Sequence, residues 1–336
     1  MSKKKNISYL FSLALLLLAG CDADTATVPL PGEERAVEVR LKASVCTVEA
    51  TVSRNVIEGT ALNTGDKIGM FLMRDSNFST PYLQNLPYLY AEDGQLNLQP
   101  EGTKVYYPAR KDTLYLYGYY PYTTEAATDE HGKVSIPVAA ALEANEATDY
   151  LYTGEIKGSK KAAATAAGIP VSLKHALARL CLNISTNRPE YTAESYPVLQ
   201  SIGFTTREGQ KGAMDLQTGD ITSDSPDTGT SVISDYQDEA TPPALIPGTS
   251  VLQKDYLLLP YKHGSTGALR RLAFSIKEPD GTVKDIVVFD DADANTPPSI
   301  VLEAGKTTTL NIIYTQSMAA KASVNDWDKG TEHTFQ

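Results

Sequence analysis

The sequence is poor in the residues that build small stapled or metal-held folds. It has three Cys, four His and one Trp in 336 residues. Three cysteines exclude a disulfide scaffold, and so few Cys and His exclude a Cys/His zinc module. Basic residues are also in deficit, with 30 Lys and Arg against 41 Asp and Glu, a formal charge of −11. A chain with no basic excess has nothing to set against nucleic-acid phosphates, so no nucleic-acid partner is expected. No Gly-rich phosphate loop, GxSxG elbow or HExxH occurs, and His131, His175, His263 and His333 lie far apart without metal-ligand spacing. No constellation asks for an enzyme, a metal centre or a cofactor.

What is present begins with an export signal. Residues 1–21 read MSKKKNISYLFSLALLLLAGC, with three lysines before an apolar run and small residues before a Cys. The run is short for a bilayer span and has the layout of a cleaved signal. Leu18-Ala19-Gly20-Cys21 resembles a bacterial lipobox, which implies cleavage before Cys21 and lipid on its sulfur. Residues 1–20 are therefore read as a lipoprotein signal peptide, and residues 21–36 as a flexible polar tether. Cleavage leaves 27 basic residues against 41 acidic ones, a net of −14.

Beyond the tether the dominant pattern has period two. Val37, Val39, Leu41, Ala43 and Val45 alternate with Glu38, Arg40, Lys42 and Ser44, which predicts a half-buried strand. Residues 67–73, 113–120, 176–184, 272–276, 283–289 and 307–315 are further strands. Pro279-Asp280-Gly281 marks a hairpin, since Gly281 accepts the positive φ of a tight turn. Short strands split by Pro, Gly and Asp turns argue for an all-β protein built of β-sandwiches. The small, breaker-rich stretch 158–170 places a boundary between an N-terminal domain, 37–165, and a C-terminal domain, 166–336. Residues 219–250 read as a long polar loop of the latter.

Three features admit chemistry. Asp291, Asp293 and Asn295 place oxygens at alternate positions as a calcium loop does, but Thr296 and Leu302 stand where the EF-hand glycine and glutamate belong. Ten of the nineteen tyrosines fall between Tyr82 and Tyr122. Tyr115, Tyr117 and Tyr119 share one strand face, giving either an aromatic surface for a glycan or host ligand or, as favoured here, core filling by residues of high β-propensity. Cys46 and Cys181 lie in different expected domains and read as buried thiols.

Several local patterns together resemble the fimbrillin family, the type V pilins and associated lipoproteins of Bacteroidetes. They are the lipobox Cys followed by VEVRLKASV and Ser53-Arg54; Gly65-Asp66-Lys67-Ile68-Gly69-Met70-Phe71; Val105-Tyr106-Tyr107-Pro108 followed by LYLYGYYPY; Asp149-Tyr150-Leu151-Tyr152 followed by LKHALARLCLNI; and VNDWDKG at 324–330. The resemblance implies two tandem transthyretin-like, Greek-key sandwich domains. It also implies an outer-membrane lipoprotein precursor, anchored through Cys21, that travels to the cell surface and into a fimbrium as stalk, tip or anchor. An Arg-specific surface protease would remove the lipidated segment together with the first strand, and a donor strand from another subunit's C-terminal end would fill the groove. Arg54 follows the strand 37–45 and precedes a turn-like Glu58-Gly59, so it is the preferred cleavage site; cutting at Arg35 or Arg40 would leave most of the strand in place. Donor candidates are Leu310, Ile312 and Tyr314 on one strand face, with Val324 and Trp327 beyond. The alternative is a monomeric surface lipoprotein that binds glycan or another ligand through its tyrosines.

Overall fold

The computed structural model describes residues 36–45, 62–76, 78–129, 133–140, 142–143, 148–165, 167–188, 190–191, 195–226, 228–247, 252–261, 268–291, 300–314, 323–324 and 333–334. The signal segment, Cys21, the tether, Arg35, Cys46, Arg54, Asp293, Asn295 and Trp327 lie outside the described residues.

The fold is all-β. In chain order the strands are β1 (Leu41–Val45), β2 (Lys67–Met73), β3 (Pro81–Tyr90), β4 (Gln95–Leu98), β5 (Thr113–Tyr120), β6 (Ala127–Thr128), β7 (Val134–Ala139), β8 (Leu142–Glu143), β9 (Leu151–Tyr152) and β10 (Ile156–Ser159). One helical turn, α1 (Lys160–Ala163), follows, capped by the Ser159 hydroxyl. Then come β11 (Ile169–His175), β12 (Ala178–Thr186), β13 (Val198–Thr206), β14 (Lys211–Asp215), β15 (Ile221–Ser223) and β16 (Ser231–Asp235). The series ends with β17 (Leu252–Leu258), β18 (Leu269–Lys277), β19 (Val283–Asp290), β20 (Thr307–Tyr314), β21 (Ser323–Val324) and β22 (His333–Thr334).

The first sheet runs β10-β5-β2-β3-β4-β1-β11-β9, and β9 also pairs with β5. The sheet therefore closes on itself around a core of Leu41, Ile68, Met70, Leu96, Leu116 and Val171. Two four-stranded sheets, β20-β12-β17-β8 and β16-β13-β18-β19, supply the facing sides of a second core. That core holds Leu180, Leu182, Tyr256, Leu310 and Ile312 from one sheet and Ile202, Phe204, Phe274 and Ile286 from the other. Facing apolar sides of two antiparallel or mixed sheets are the sandwich solution to burying a period-two pattern. A third core joins β7 and β14 to β2 and β5, through Ile136, Met214, Phe71 and Tyr119.

The expected strands are present, and the segment HALARLCL, which admits a helix in isolation, is extended. Full burial of Leu180, Leu182 and Ile184 against β17 and β20 decides the matter. The β18–β19 hairpin turns at Gly281, with φ +87°. The stretch 219–250 departs from the expected loop: it contains β15 and the sheet-edge strand β16, where Ile233 is exposed. Strand β3 has no clean alternation because Pro81 and Pro87 interrupt it. Its Asn85 takes φ +47° where the β2–β3 register shifts. Such bulges are where prolines survive inside a sheet.

Candidate functional site: the β1 slot

β1 lies between two strands that are far apart in sequence. It runs parallel to β11, with Leu41, Ala43 and Val45 opposite Ile169, Val171 and Leu173. On its other side it is antiparallel to β4, through Leu41–Leu96 and Lys42–Gln95. Upstream the chain stays extended: the Val39 amide donates to the Val105 carbonyl at 2.8 Å, and the Tyr107 amide to the Val37 carbonyl at 2.9 Å. The alternation expected of residues 37–45 is realised from Val39 on, where Val39, Leu41, Ala43 and Val45 are each 5% exposed or less. Val37 is half-buried against the same core. Lys42 and Ser44 face solvent.

The polar face is lightly held. Glu38 reaches Lys104 at 3.3 Å and Arg40 at 3.5 Å across exposed surface, and such pairs are worth little. Beside the upstream half of β1 opens a cavity of about 750 Å³, lined in part by Val39, Leu41, Tyr88, Tyr90, Leu98 and Val105. Burial, with Glu38 nearby, pushes the Tyr88 hydroxyl's pKa well up, so the phenol stays neutral. Removing β1 would open this cavity into a continuous furrow and leave the edges of β4 and β11 unpaired.

The residues singled out as donor candidates are held differently. Leu310, Ile312 and Tyr314 point into the sandwich core, and β20 pairs with β12 along its whole length. The Tyr314 carbonyl accepts from the Thr186 hydroxyl at 2.9 Å. The Tyr314 hydroxyl joins those of Tyr191 and the cations of Arg188 and Lys284 around the Glu278 carboxylate. Burial opposes the charge on Glu278, but the bonds from Lys284, Tyr191 and Tyr314 and the charge of Arg188 outweigh it and hold its pKa down at about 2. Val324 pairs as part of β21 with β22.

Tyr117 and Tyr119 present no ring face to solvent. Tyr117 packs edge-on against Phe78 at 4.6 Å and donates to Glu155 at 3.0 Å. Tyr119 is fully buried and donates to Asn85 Oδ1 at 2.6 Å, and its pKa is pushed up to about 12, chiefly by burial. Tyr115 is half-buried beside the same core. The tyrosine concentration is thus largely core filling, with the hydroxyls of Tyr117, Tyr119 and Tyr120 bonded internally and the buried hydroxyl of Tyr107 without a partner. Of the calcium candidates, Asp291 is within the described residues, and its carboxylate is bonded by Arg207. Among the described residues no cluster of three His, Cys, Asp or Glu could hold a metal ion. His175 closes β11 and contacts Asp149 at 2.6 Å, both side chains buried. Cys181 is a buried free thiol, pushed up to about 12 by burial and then by Asp255.

The architecture is therefore that of an all-β protein with one closed sheet, in which β1 lies between β4 and β11. The profile of the fimbrillin-like family matches residues 53–327, and the chain belongs to that family. No curated protein matches it. Among solved structures it is similar to a candidate cell adhesion protein from Bacteroides ovatus, at 13% identity and TM-score 0.55, covering 90% of this chain and 99% of that one. A candidate cell adhesion protein from Bacteroides uniformis follows at 17% identity and TM-score 0.52, covering 87% and 99%. A fimbrial protein from Bacteroides vulgatus matches at 15% identity and TM-score 0.50, covering 88% and 99%. At these identities the likeness is one of fold. Family membership places the chain among structural proteins rather than enzymes.

Proposed function

We propose that this chain is a subunit of a cell-surface fimbria, with a role in adhesion, that assembles by donor-strand exchange. It is exported as a lipoprotein bearing lipid on Cys21. An Arg-specific protease cuts after Arg54, β1 leaves with the released segment, and the vacated slot takes a strand from the C-terminal end of another subunit. The observation that carries this reading is the position of β1: one short strand completes a closed sheet, and its partners on both sides come from later in the chain. Loss of β1 exposes an apolar furrow and two backbone edges, and an added strand satisfies both at once. After that cut 282 residues remain, with 23 basic and 35 acidic side chains, a net of −12.

The test is the mass and N-terminal residue of the surface form in wild type and Arg54→Ala. Wild type is expected to begin at Asn55 and to run as SDS-resistant ladders, and the variant to retain Cys21 and run as a monomer. A wild-type surface form that keeps β1 and gives no ladders overturns the proposal.

A further inference from the structure

The sheet β16-β13-β18-β19 ends in two edges that are finished differently. At β19 the pairing with β18 breaks register between Leu272 and Ala273, and Asp290 is held by Arg271 at 3.3 Å. A bulge and a charged pair close an edge to a passing strand. β16 has neither. Its register with β13 runs unbroken from Ser231–Thr205 to Asp235–Ser201. Ile233, at its middle, is 70% exposed, more than any other large apolar residue described.

The backbone of β16 is free on its outer side. The Tyr236 amide donates to the Gln200 carbonyl at 2.8 Å, and the Thr206 amide donates to the Thr230 carbonyl at 2.9 Å. Even-numbered residues therefore turn their amide and carbonyl toward β13. In an antiparallel ladder the residues between them turn both groups the other way. Ser231, Ile233 and Asp235 thus present their amides and carbonyls beyond the edge, and no strand among the described residues pairs there. Their side chains lie on the outer face of the sheet. On that face Ile233 stands beside Gly203, and the row continues through Ala273 to Val287.

What fits this edge follows from reading Ser231-Val232-Ile233-Ser234-Asp235 against its own reverse. About a two-fold axis at Ile233, Ile233 meets itself, Val232 meets Ser234, and Ser231 meets Asp235. The single charge of the strand then falls opposite a hydroxyl. A one-residue slip would set inward side chains opposite outward ones. An axis at Ser234 would set Ile233 against the Asp235 carboxylate, and an axis at Val232 would part the two isoleucines. The Ile233 register also leads the exposed Asp238 and Glu239 toward the partner's residues 228–230. There Lys211, which has no ion pair among the described residues, lines a cavity of about 260 Å³ with Thr228, Gly229 and Thr230. We propose that β16 is a docking edge for β16 of a second copy of this chain, in an antiparallel pair about a two-fold axis through Ile233. The contact is isologous and closes at two copies. It goes beyond the fimbrial reading and does not rest on it, because β16 is free while β1 is in place. Where subunits are joined into filaments, the same edge recurs at each and ties two filaments side by side.

The test uses the full, uncut chain, so that strand exchange plays no part. Sedimentation velocity over a concentration series is expected to show a monomer–dimer equilibrium. Ile233→Lys is expected to weaken it by about tenfold or more, because two ammonium groups then meet at the axis. Its melting temperature stays that of wild type, since the site is exposed. Ile233→Pro removes an amide that β13 does not use and is expected to weaken the dimer likewise. Under mild oxidation Ile233→Cys alone is expected to give a reductant-sensitive dimer, and Val287→Cys, on the bulged edge, to give none. Ser231→Cys and Asp235→Cys are expected to crosslink when mixed and not singly. A wild-type chain that stays monomeric, an Ile233→Lys chain that dimerises like wild type, or crosslinking at Val287 in place of Ile233 each overturns the proposal. Ladders from the cut chain alongside a monomeric uncut chain overturn it and leave the fimbrial reading standing.

Discussion

β1 and β20 look alike in sequence and are held in different ways. Each alternates apolar and polar residues, each runs parallel to a neighbour, and each buries its apolar side chains. β20 pairs over eight residues with β12 alone, at a sheet edge, and its end is tied down by the carboxylate of Glu278. β1 is five residues long and lies between two strands, and the ion pairs beside it, from Glu38 to Arg40 and Lys104, lie upstream on exposed surface. A strand at an edge with a buried polar lock is built to stay. A strand between two neighbours without such a lock is kept chiefly by apolar burial and backbone ladders.

The largest break in that comparison comes from taking β1 away. Burial of Val39, Leu41, Ala43 and Val45 contributes about 6 kcal/mol, comparable with the whole stability of a domain. The chain beginning at Asn55, kept monomeric, is expected to lose hydrogen-exchange protection at Leu96 and Val171 and to keep it at Leu182 and Ile312. Equal protection at both pairs would make β1 dispensable.

Glu278 gives a smaller effect at the other strand. Its folded pKa, about 2, lies below the ordinary 4.5. The stabilisation is therefore complete above pH 4.5 and is lost as pH falls toward 2, about 3 kcal/mol in all. Glu278→Gln is expected to lower stability at neutral pH by a similar amount and to flatten the acid limb of a denaturation profile. A variant with the wild-type acid limb would remove the lock from the comparison. The smallest expected effect is at Ala43→Leu, where a side chain forced into a methyl-sized site costs about 1–3 kcal/mol. It is read as a lower urea midpoint, and an unchanged midpoint would show that the slot yields to larger side chains.

The strand β20 is legible because its buried and less buried residues alternate, and β2 and β5 are legible as short apolar runs, buried on both faces between two cores. β3 is obscured by Pro81 and Pro87, since its bulge at Asn85 depends on partners across the sheet. β16 is obscured because an edge strand needs few apolar residues, and Ser231–Asp235 reads as a polar loop. At the site, the inward face of β1 was plain from residues 37–45. Its neighbours are not, because β4 and β11 reach it across about 50 and 120 residues of intervening chain, beyond any local pattern. The tyrosines illustrate the same limit: spacing puts Tyr115, Tyr117 and Tyr119 on one face, and only the packing of Phe71, Phe78 and Asn85 shows that face to be interior.

The pairing of β9 with both β5 and β11 has a consequence for timing. A ring of strands has no first or last member, so while β1 is present that sheet offers a passing chain no place to start. Cutting β1 free creates both ends in the same instant. Under the proposed cleavage, the stickiness of that sheet is produced by a chemical event at a chosen location and is not a standing property of its surface.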